Sequence, residues 1–418
     1  MTTVYATLQQ VLEFRDERSA LQHQMLSVHQ KPLISFTMNI AGPVKRTALS
    51  EFAFTETLRD IFAFLGIPKA QKILRTSAGC AALLVYDHAA QDLKAVAVRI
   101  EDAAPAGRLL DIDVLTASGE KLSRDIQRRC LICDGPAFPC ARARRHTLLE
   151  LTDRTHQLLV DFAAARIGAY AKEALLDEVR LTPKPGLVDA ANNGAHLDMD
   201  LALMEKSIQA LESYLQQAVR IGIEWGRSCA ERLQAAGVEA EVTMLVATGG
   251  VNTHKGAIFL LGLLCAGAGA ILRGAGGGLL EEATAIAAAL STPTQPTHGS
   301  VVKARYGVSG GPRTEALTGF PHARMAWQLL QKGETPHTVL LNLLHQVEDS
   351  NILWRGGPQA LTFIQSEAGS LLAAPLEERW QDMERFDAVC IQRGLSPGGS
   401  ADLLACGLFL HKLPFLDI

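Results

Sequence analysis

Thr248-Gly249-Gly250-Val251-Asn252-Thr253-His254-Lys255-Gly256 runs without a break into Ala257-Ile258-Phe259-Leu260-Leu261-Gly262-Leu263-Leu264-Cys265-Ala266. Five of the first nine residues can donate side-chain hydrogen bonds, and their glycines leave backbone amides open to a ligand. The adjoining apolar run is long enough for a helix, so the stretch reads as a polar loop feeding a buried helix. Such a junction points free N–H groups and the positive end of the helix dipole at whatever lies above it. With Lys255 and His254 adding charge, this is a physical recipe for holding phosphate. The plainer reading is a core helix capped by Asn252 or Thr253. The spacing matches no Walker sequence.

Working outward, nearly everything after residue 157 is helix-periodic: 163–179, 202–222, 229–236, 257–272, 279–290, 321–330, 338–344, 361–372, 376–393 and 401–410. A long helix over 148–170 crosses from one half to the other. Strand patterns are almost absent, so this half is expected to be an all-α helical domain. The run 257–272, with 16 residues, is too short for a bilayer span and is expected to be buried. Polar clusters of a repeated kind join these helices. Glu178 ends one helix shortly before Pro183-Lys184-Pro185-Gly186 and Asp189, and Asn192-Asn193-Gly194-Ala195-His196 comes next. Later come Asp349-Ser350-Asn351 with Arg355-Gly356-Gly357, and Ser396-Pro397-Gly398-Gly399-Ser400. Each alone is an ordinary cap or turn. Together they are expected as glycine-bearing loops that converge on one site for a large, anionic, hydroxyl-rich ligand.

The first half reads as α/β. Helices are expected over 8–26 and 49–65, and strands over 32–40, 81–86, 95–100 and 109–115. In the last of these, Leu110-Asp111-Ile112-Asp113-Val114 puts both carboxylates on one face, since strand residues i and i+2 point the same way. Two such acids suit Mg²⁺ shared with substrate phosphates. Nucleotidyl-transfer enzymes use an Asp-x-Asp pair of this kind with an earlier Ser/Gly turn, for which Ser77-Ala78-Gly79 is available. An edge strand with its polar face in water gives the same pattern. Further on, Cys130, Cys133, Cys140 and His146 have spacing that would suit a tetrahedral zinc site, with a reduced metal-free turn as the plainer reading. Arg128, Arg129, Arg142, Arg144 and Arg145 surround them with only Asp134 to neutralise the charge, giving a basic face.

The chain has 418 residues, 48% hydrophobic and 20% charged, as expected of a globular protein of two or three domains. A net charge of −4 gives no reason to expect a nucleic-acid or membrane partner. The halves differ: residues 1–156 carry 20 Lys+Arg against 17 Asp+Glu, and residues 157–418 carry 20 against 27. The start, Met1-Thr2-Thr3-Val4-Tyr5, shows neither a basic nor an apolar leader region. Five of the eight cysteines are scattered singly. A cytoplasmic protein without a disulfide framework is expected.

The five ordered clusters of the second half carry a family resemblance. Leu-Thr-Pro-Lys-Pro-Gly-Leu-Val-Asp (181–189), Asn-Gly-Ala-His-Leu-Asp-Met (193–199), Gly-Val-Asn-Thr-His-Lys-Gly (250–256), Asp-Ser-Asn with Arg-Gly-Gly (349–351, 355–357) and Leu-Ser-Pro-Gly-Gly-Ser-Ala-Asp (395–402) resemble triphosphoribosyl-dephospho-CoA synthase. The first half resembles the holo-acyl-carrier-protein synthase of citrate lyase. It does so at Arg15-Asp16-Glu17-Arg18, the 107–115 run, Ser123-Arg124 and the Cys-x2-Cys…Cys-Ala-Arg block. Bulky Ile352-Leu353-Trp354 departs from the small polar residues expected there.

The resemblance implies a fused bifunctional transferase, with domains 1–156 (nucleotidyltransferase-like α/β) and 157–418 (all-α). The second would join ATP to dephospho-CoA with loss of adenine. The first would attach the product to a serine of the citrate lyase acyl carrier protein (the gamma subunit), releasing pyrophosphate. Expected carboxylate roles fall to Glu178, Asp189 and Asp349, with His254 also in the catalytic set, and Mg²⁺ to Asp111 and Asp113. Lys184, His254, Lys255 and Arg355 would hold phosphate. Gly186, Asn193, His196, Gly250, Asn252, Thr253, Gly256, Asn351, Gly356, Gly357, Ser396, Gly398, Gly399 and Ser400 would complete the cradle, and structural Zn²⁺ would sit on the Cys/His block. The basic face at Arg142, Arg144 and Arg145 would dock the carrier. The same chemistry on a malonate decarboxylase carrier, and a non-catalytic adaptor, are the alternatives.

Overall fold

Strand β1 (Leu33–Met38) is buried along almost its whole length. In the computed structural model, which describes residues 5–124, 128–133, 135–291, 298–308, 310–413 and 418, it lies inside an antiparallel sheet of order β2-β3-β1-β4. The other strands are β2 (Ala70–Thr76), β3 (Gly79–Val85) and β4 (Leu110–Leu115). Alternation assigns the two faces. Ile34, Phe36, Leu84, Ile112 and Val114 form one core with α2 (Ala48–Leu65) and α3 (Ala90–Ala103), where Phe36 stacks on Phe54 at 4.9 Å. Leu33, Leu83 and Val85 turn the other way, against Met25 and Leu26 of α1 (Leu8–His29). That second face becomes polar where Ser35 and Thr37 stand in register with Asp113 and Asp111.

One expectation fails here, and one strand was not expected. Residues 95–100 are helical, inside α3. Val96, Val98 and Ile100 alternate like a strand, but Ala90, Leu93, Ala97 and Ile100 are the buried set, and their spacing is helical. The hairpin partner β2 went unexpected because an edge strand with mostly exposed side chains has no hydrophobic period to read. The turn Ser77-Ala78-Gly79 is the β2–β3 connection, with Gly79 at φ 133°. The short α4 (Ala137–Arg142) lies beyond the sheet in the chain.

Two compact units divide between Ala165 and Arg166, inside α5 (Leu148–Arg180), so the helices expected at 148–170 and 163–179 are one. The second unit continues with α6 (Leu201–Trp225), α7 (Ala230–Thr248), α8 (Lys255–Arg273), α9 (Leu279–Ala289), α10 (His298–Tyr306) and α11 (Pro312–Leu317). It ends with α12 (Pro321–Gln331), α13 (Pro336–Gln346), α14 (Ser350–Ala373), α15 (Leu376–Gln392) and α16 (Gly398–His411). No strand occurs in it among the described residues. At 19 residues α8 is long and apolar enough to cross a membrane, contrary to the 16-residue expectation, because Lys255, Gly256 and Arg273 extend it. Burial rather than shortness makes it a core helix: 78% of it lies inside the unit, against α6, α7, α9 and α16.

The α6–α8 contact depends on glycine. A Cβ on Gly222 would fall on the carbonyl oxygen of Ala266, and one on Gly269 on that of Val219. Both neighbours are backbone and cannot swing away, so the helices would have to separate. Gly222→Ala is therefore expected to destabilise the helical unit by about 1–3 kcal/mol, the usual cost of overpacking a close helix pair. All four tryptophans (Trp225, Trp327, Trp354 and Trp380) lie in this unit, so urea unfolding followed by tryptophan fluorescence reads it directly. An unchanged midpoint would refute the close-packing argument.

Candidate active sites

The helical unit gathers its polar clusters at helix ends. Glu178 in the last turn of α5 and Lys184 in the adjoining loop are both buried, with Lys184 Nζ 2.5 Å from Glu178 Oε1. Asp189 folds this loop: its carboxylate accepts from the backbone N–H of Lys184, Ala191 and Asn192 at 3.0, 2.7 and 3.0 Å. Gly186 takes φ 72° and donates its N–H to Asp387 Oδ1 at 2.8 Å, while Asn192 donates to Oδ2 of the same residue at 2.8 Å. A side chain on Gly186 would strike the Leu395 carbonyl. The loop therefore admits only glycine there, and it sits against the segment that leads into α16.

The next cluster joins the same region. His196 Nε2 lies 2.8 Å from Ser396 Oγ, and Arg355 donates to the carbonyls of Ala195 and Gly394, both at 3.2 Å. Burial, and then Arg355, lower the His196 pKa. Asp349 caps α14: it accepts from Asn351 N–H at 2.9 Å, Ser400 N–H at 2.8 Å and Ser400 Oγ at 3.1 Å. Burial raises its pKa against those hydrogen bonds. Arg355, Gly356 and Gly357, expected in a loop, lie within α14, which kinks at Gly357 (φ 69°). Gly398, Gly399 and Ser400 likewise form the first turn of α16.

Thr248–Gly256 behaves differently from the phosphate recipe. Neither Asn252 nor Thr253 caps α8; His254 occupies the N-cap position. His254 is buried beside Ser207, with Nδ1 2.8 Å from Ser207 Oγ, and Thr253 Oγ1 donates to that oxygen at 2.7 Å. Burial, and then the nearby Lys184, push the imidazole down to about 3, so it is neutral at pH 7. Its Nε2 is buried with no partner among the described residues. Lys255 pairs with Glu241 at 2.7 Å. Gly250 (φ 95°) and Asn252 are exposed. The amide end of α8 is met by Asp402: its carboxylate accepts from Ala257 N–H and occupies the space beside Gly256 where a Cβ would go. Burial, and then Glu178 and Asp349, raise the pKa of Asp402 well above the usual carboxylate range. Sequence reading assigned no role to Asp402, Asp387 or Ser207. Asp402 closes the 395–402 cluster and was legible there, whereas Asp387 and Ser207 are single polar residues on helices, with no local signal.

In the sheet unit, Asp111 and Asp113 share the half-exposed face of β4. Lys121 pairs with Asp113 at 2.6 Å, and Arg128 lies 3.7 Å from Asp111. On the same face Arg18 donates to Thr37 Oγ1 and Gln22 to Ser35 Oγ. Buried Glu101 accepts from Ile112 N–H and pairs with Arg124 and Arg128. Cys130, Cys133, Cys140 and His146 come together, all four ligand atoms lying within 4.8 Å of one another. Burial works to raise the Cys130 pKa, yet the N–H groups of Ile132 and Cys133 bring it to about 6. Three sulfurs and one imidazole at this separation fit a tetrahedral metal site. Asp134 lies outside the described residues.

Comparison with known proteins gives two family matches. Residues 164–417 match the family described as ATP:dephospho-CoA triphosphoribosyl transferase, and residues 6–162 match apo-citrate lyase phosphoribosyl-dephospho-CoA transferase. Protein CitXG of Haemophilus influenzae is 35% identical, over 96% of this chain and 95% of that protein. Protein CitXG of Leuconostoc mesenteroides is 30% identical over 97% of each. The 2-(5''-triphosphoribosyl)-3'-dephosphocoenzyme-A synthase of Haemophilus ducreyi is 36% identical over 68% of this chain and 99% of its own length.

The buried ion pair generates a stability test. Lys184→Met leaves the Glu178 carboxylate uncompensated and is expected to cost about 3–5 kcal/mol. The double variant Glu178→Gln/Lys184→Met is expected to recover most of that loss, because no lone charge remains. Tryptophan-detected urea unfolding measures both, and strictly additive losses would show that the two side chains do not depend on each other.

Proposed function

The chain belongs to the fused citrate lyase maturation transferases, which make and attach the enzyme's prosthetic group, and on that premise we propose how its residues divide the two reactions. The division falls near residue 157, with the synthase step in 157–418 and the carrier-modifying step in 1–156. Membership sets the adaptor alternative aside, and the family description names citrate lyase rather than malonate decarboxylase.

In the synthase step the 2′-hydroxyl of dephospho-CoA attacks C1 of the ATP ribose. A C–O bond forms, the C–N bond to adenine breaks with its electron pair going to the base nitrogen, which takes up the proton the hydroxyl releases, and the triphosphate stays on the product. Glu178 is the proposed proton acceptor, held in place by Lys184. Asp189 and Asp349 act through the loops they bind, since their oxygens are engaged by backbone N–H groups. His254 offers an uncharged, unpartnered ring nitrogen rather than a charge. Arg355 would hold the triphosphate and Lys255 would join it by exchanging Glu241 for phosphate, with Gly186, Asn193, His196, Gly250, Asn252, Thr253, Gly256, Asn351, Gly356, Gly357, Ser396, Gly398, Gly399 and Ser400 shaping the cradle. The observation that carries this reading is the convergence of Glu178, Asp349 and Asp402 beside one buried lysine. Developing positive charge at C1 is stabilised by such preorganised carboxylates.

In the second step a serine hydroxyl of the carrier attacks the phosphorus nearest the ribose, and pyrophosphate leaves. Asp111 and Asp113, oxygen donors on one face of β4, would hold Mg²⁺, which when bound offsets charge on the triphosphate and the departing pyrophosphate. The Ser77-Ala78-Gly79 turn lies at the same end of the sheet as Asp111, which supports a nucleotidyltransferase-like reading. Cys130, Cys133, Cys140 and His146 would hold Zn²⁺ as a structural site. Both nucleotide substrates are metabolites of the cytoplasm, the proposed location.

The chain with ATP, Mg²⁺ and dephospho-CoA is expected to release adenine, and to release pyrophosphate once apo carrier is added. Glu178→Gln is expected to slow adenine release about 100-fold or more. It should leave carrier modification from supplied triphosphoribosyl-dephospho-CoA intact. Asp111→Asn is expected to do the reverse. Chromatography of adenine and a coupled pyrophosphate assay read both steps. Equal loss of both steps in either variant would overturn the division, and no adenine from the unaltered chain would overturn the synthase assignment.

A further inference from the structure

The Cys/His segment does more than fold. Its first residues are fastened to the strand that carries the aspartate pair: Arg128 donates to the Leu110 carbonyl at 2.9 Å, and Arg108 donates to the carbonyl of Arg129. Its outer part is α4, six residues long and too short to stand as an isolated helix. What orients α4 is Cys140, which is 4% exposed and faces the other three ligand atoms. Phe138 and Arg142 are four residues apart, so they share one helix face, turned away from Cys140. Phe138 is 75% exposed there. Arg144 and Arg145 come next in an exposed turn, with Arg144 in the left-handed region (φ 47°) as the chain doubles back to bring His146 within 3.4 Å of Cys133. A phenyl ring held in water contributes nothing to the core, and Arg142, Arg144 and Arg145 follow it within seven residues.

Aromatic and arginine side chains together are the composition of protein-interface anchors. The transferase reaction also requires a protein to approach β4, because the carrier's serine must reach the phosphate held at the aspartate pair. We propose that this segment is the docking knuckle for the apo acyl-carrier subunit of citrate lyase: Phe138 enters an apolar recess on the carrier while Arg142, Arg144 and Arg145 pair with acidic residues around the serine. The inference rests on the reading of the sheet unit as the carrier-modifying transferase and adds to it the apolar anchor. The Cys₃His cluster sets the distance between anchor and strand. Charge steers the encounter and the buried ring sets the residence time.

The test uses the full chain and fluorescently labelled apo carrier. Phe138→Ser is expected to raise the carrier's Kd, by anisotropy, and its KM at least tenfold. The KM for triphosphoribosyl-dephospho-CoA and adenine release should not change, and Phe138→Leu should restore most of the affinity. The triple variant Arg142→Glu/Arg144→Glu/Arg145→Glu is expected to weaken carrier binding and to reverse its dependence on salt, since screening would then relieve repulsion. Weaker binding in the arginine variant with normal binding in Phe138→Ser would overturn the anchor and leave the basic docking face standing. Normal carrier binding in both would overturn the docking face as well. A rise in the nucleotide KM in Phe138→Ser would also overturn the proposal, since it would place the ring in the nucleotide site.

Discussion

A lysine ammonium 2.5 Å from a glutamate carboxylate, with almost no water on either, is the interaction on which the helical unit's site depends. Burying either charge alone would cost several kcal/mol, so each is tolerable only while the other stays. Glu178 is in the last turn of α5 and Lys184 is in the loop beyond it, so the pair staples that loop over the helix end. The staple also fixes the rest of the loop. Gly186 is placed where its N–H reaches Asp387 and its missing side chain leaves room for the Leu395 carbonyl. Leu395 and Ser396 lead into α16, whose Ser400 binds the Asp349 cap of α14. Segments about 200 residues apart in sequence are thus joined by short hydrogen bonds, and the clusters that lie separately along the chain become one surface.

The sequence disclosed the parts of this arrangement that have a local cause. Helix periods located most of the second half, and the period of two put Asp111 and Asp113 on one face of β4. The Cys/His spacing anticipated four ligand atoms within 4.8 Å. Features whose cause is distant were not legible. Asp387 looks like any acid on an amphipathic helix until Gly186 and Asn192 arrive to donate to it. His254 and Lys255 read as a pair of charges, but burial against Ser207 leaves the histidine neutral, and Glu241 takes the lysine. Glycine pairs at 356–357 and 398–399 read as loops, yet they let helices pass close to Leu395, Asn351 and Asp349. In each case tertiary contact, not propensity, decided the outcome.

Charge separates the two units in a way that matches their chemistry. The helical half carries an excess of seven acidic residues and concentrates carboxylates where water is scarce. Asp402 shows the strain of that concentration: burial and two neighbouring carboxylates push its pKa far up. A site of that kind suits a reaction whose transition state places positive charge on a ribose carbon, because the carboxylates are already oriented and need no reorganisation. Adenine leaves with the electron pair of the C–N bond and takes up the proton that the attacking hydroxyl gives up, so it departs uncharged, and the triphosphate need only be held.

The sheet half faces the opposite demand. Its reaction separates pyrophosphate, so charge accumulates on departing oxygens, and cations rather than carboxylates lower the barrier. Lys121 and Arg128 stand directly against the aspartate pair, and Arg18 and Arg124 lie near the same strand or its neighbours. Glu101 and Asp102 take up part of that positive charge, so the aspartate pair stands in a surrounding of mixed, nearly balanced charge rather than among carboxylates alone. The two half-reactions develop charge of opposite sign at their reacting centres, a demand that two separate sites meet more readily than one. On the proposed division, a desolvated cluster of carboxyls meets the first demand, and a half-exposed strand with Lys121 and Arg128 beside its aspartates meets the second.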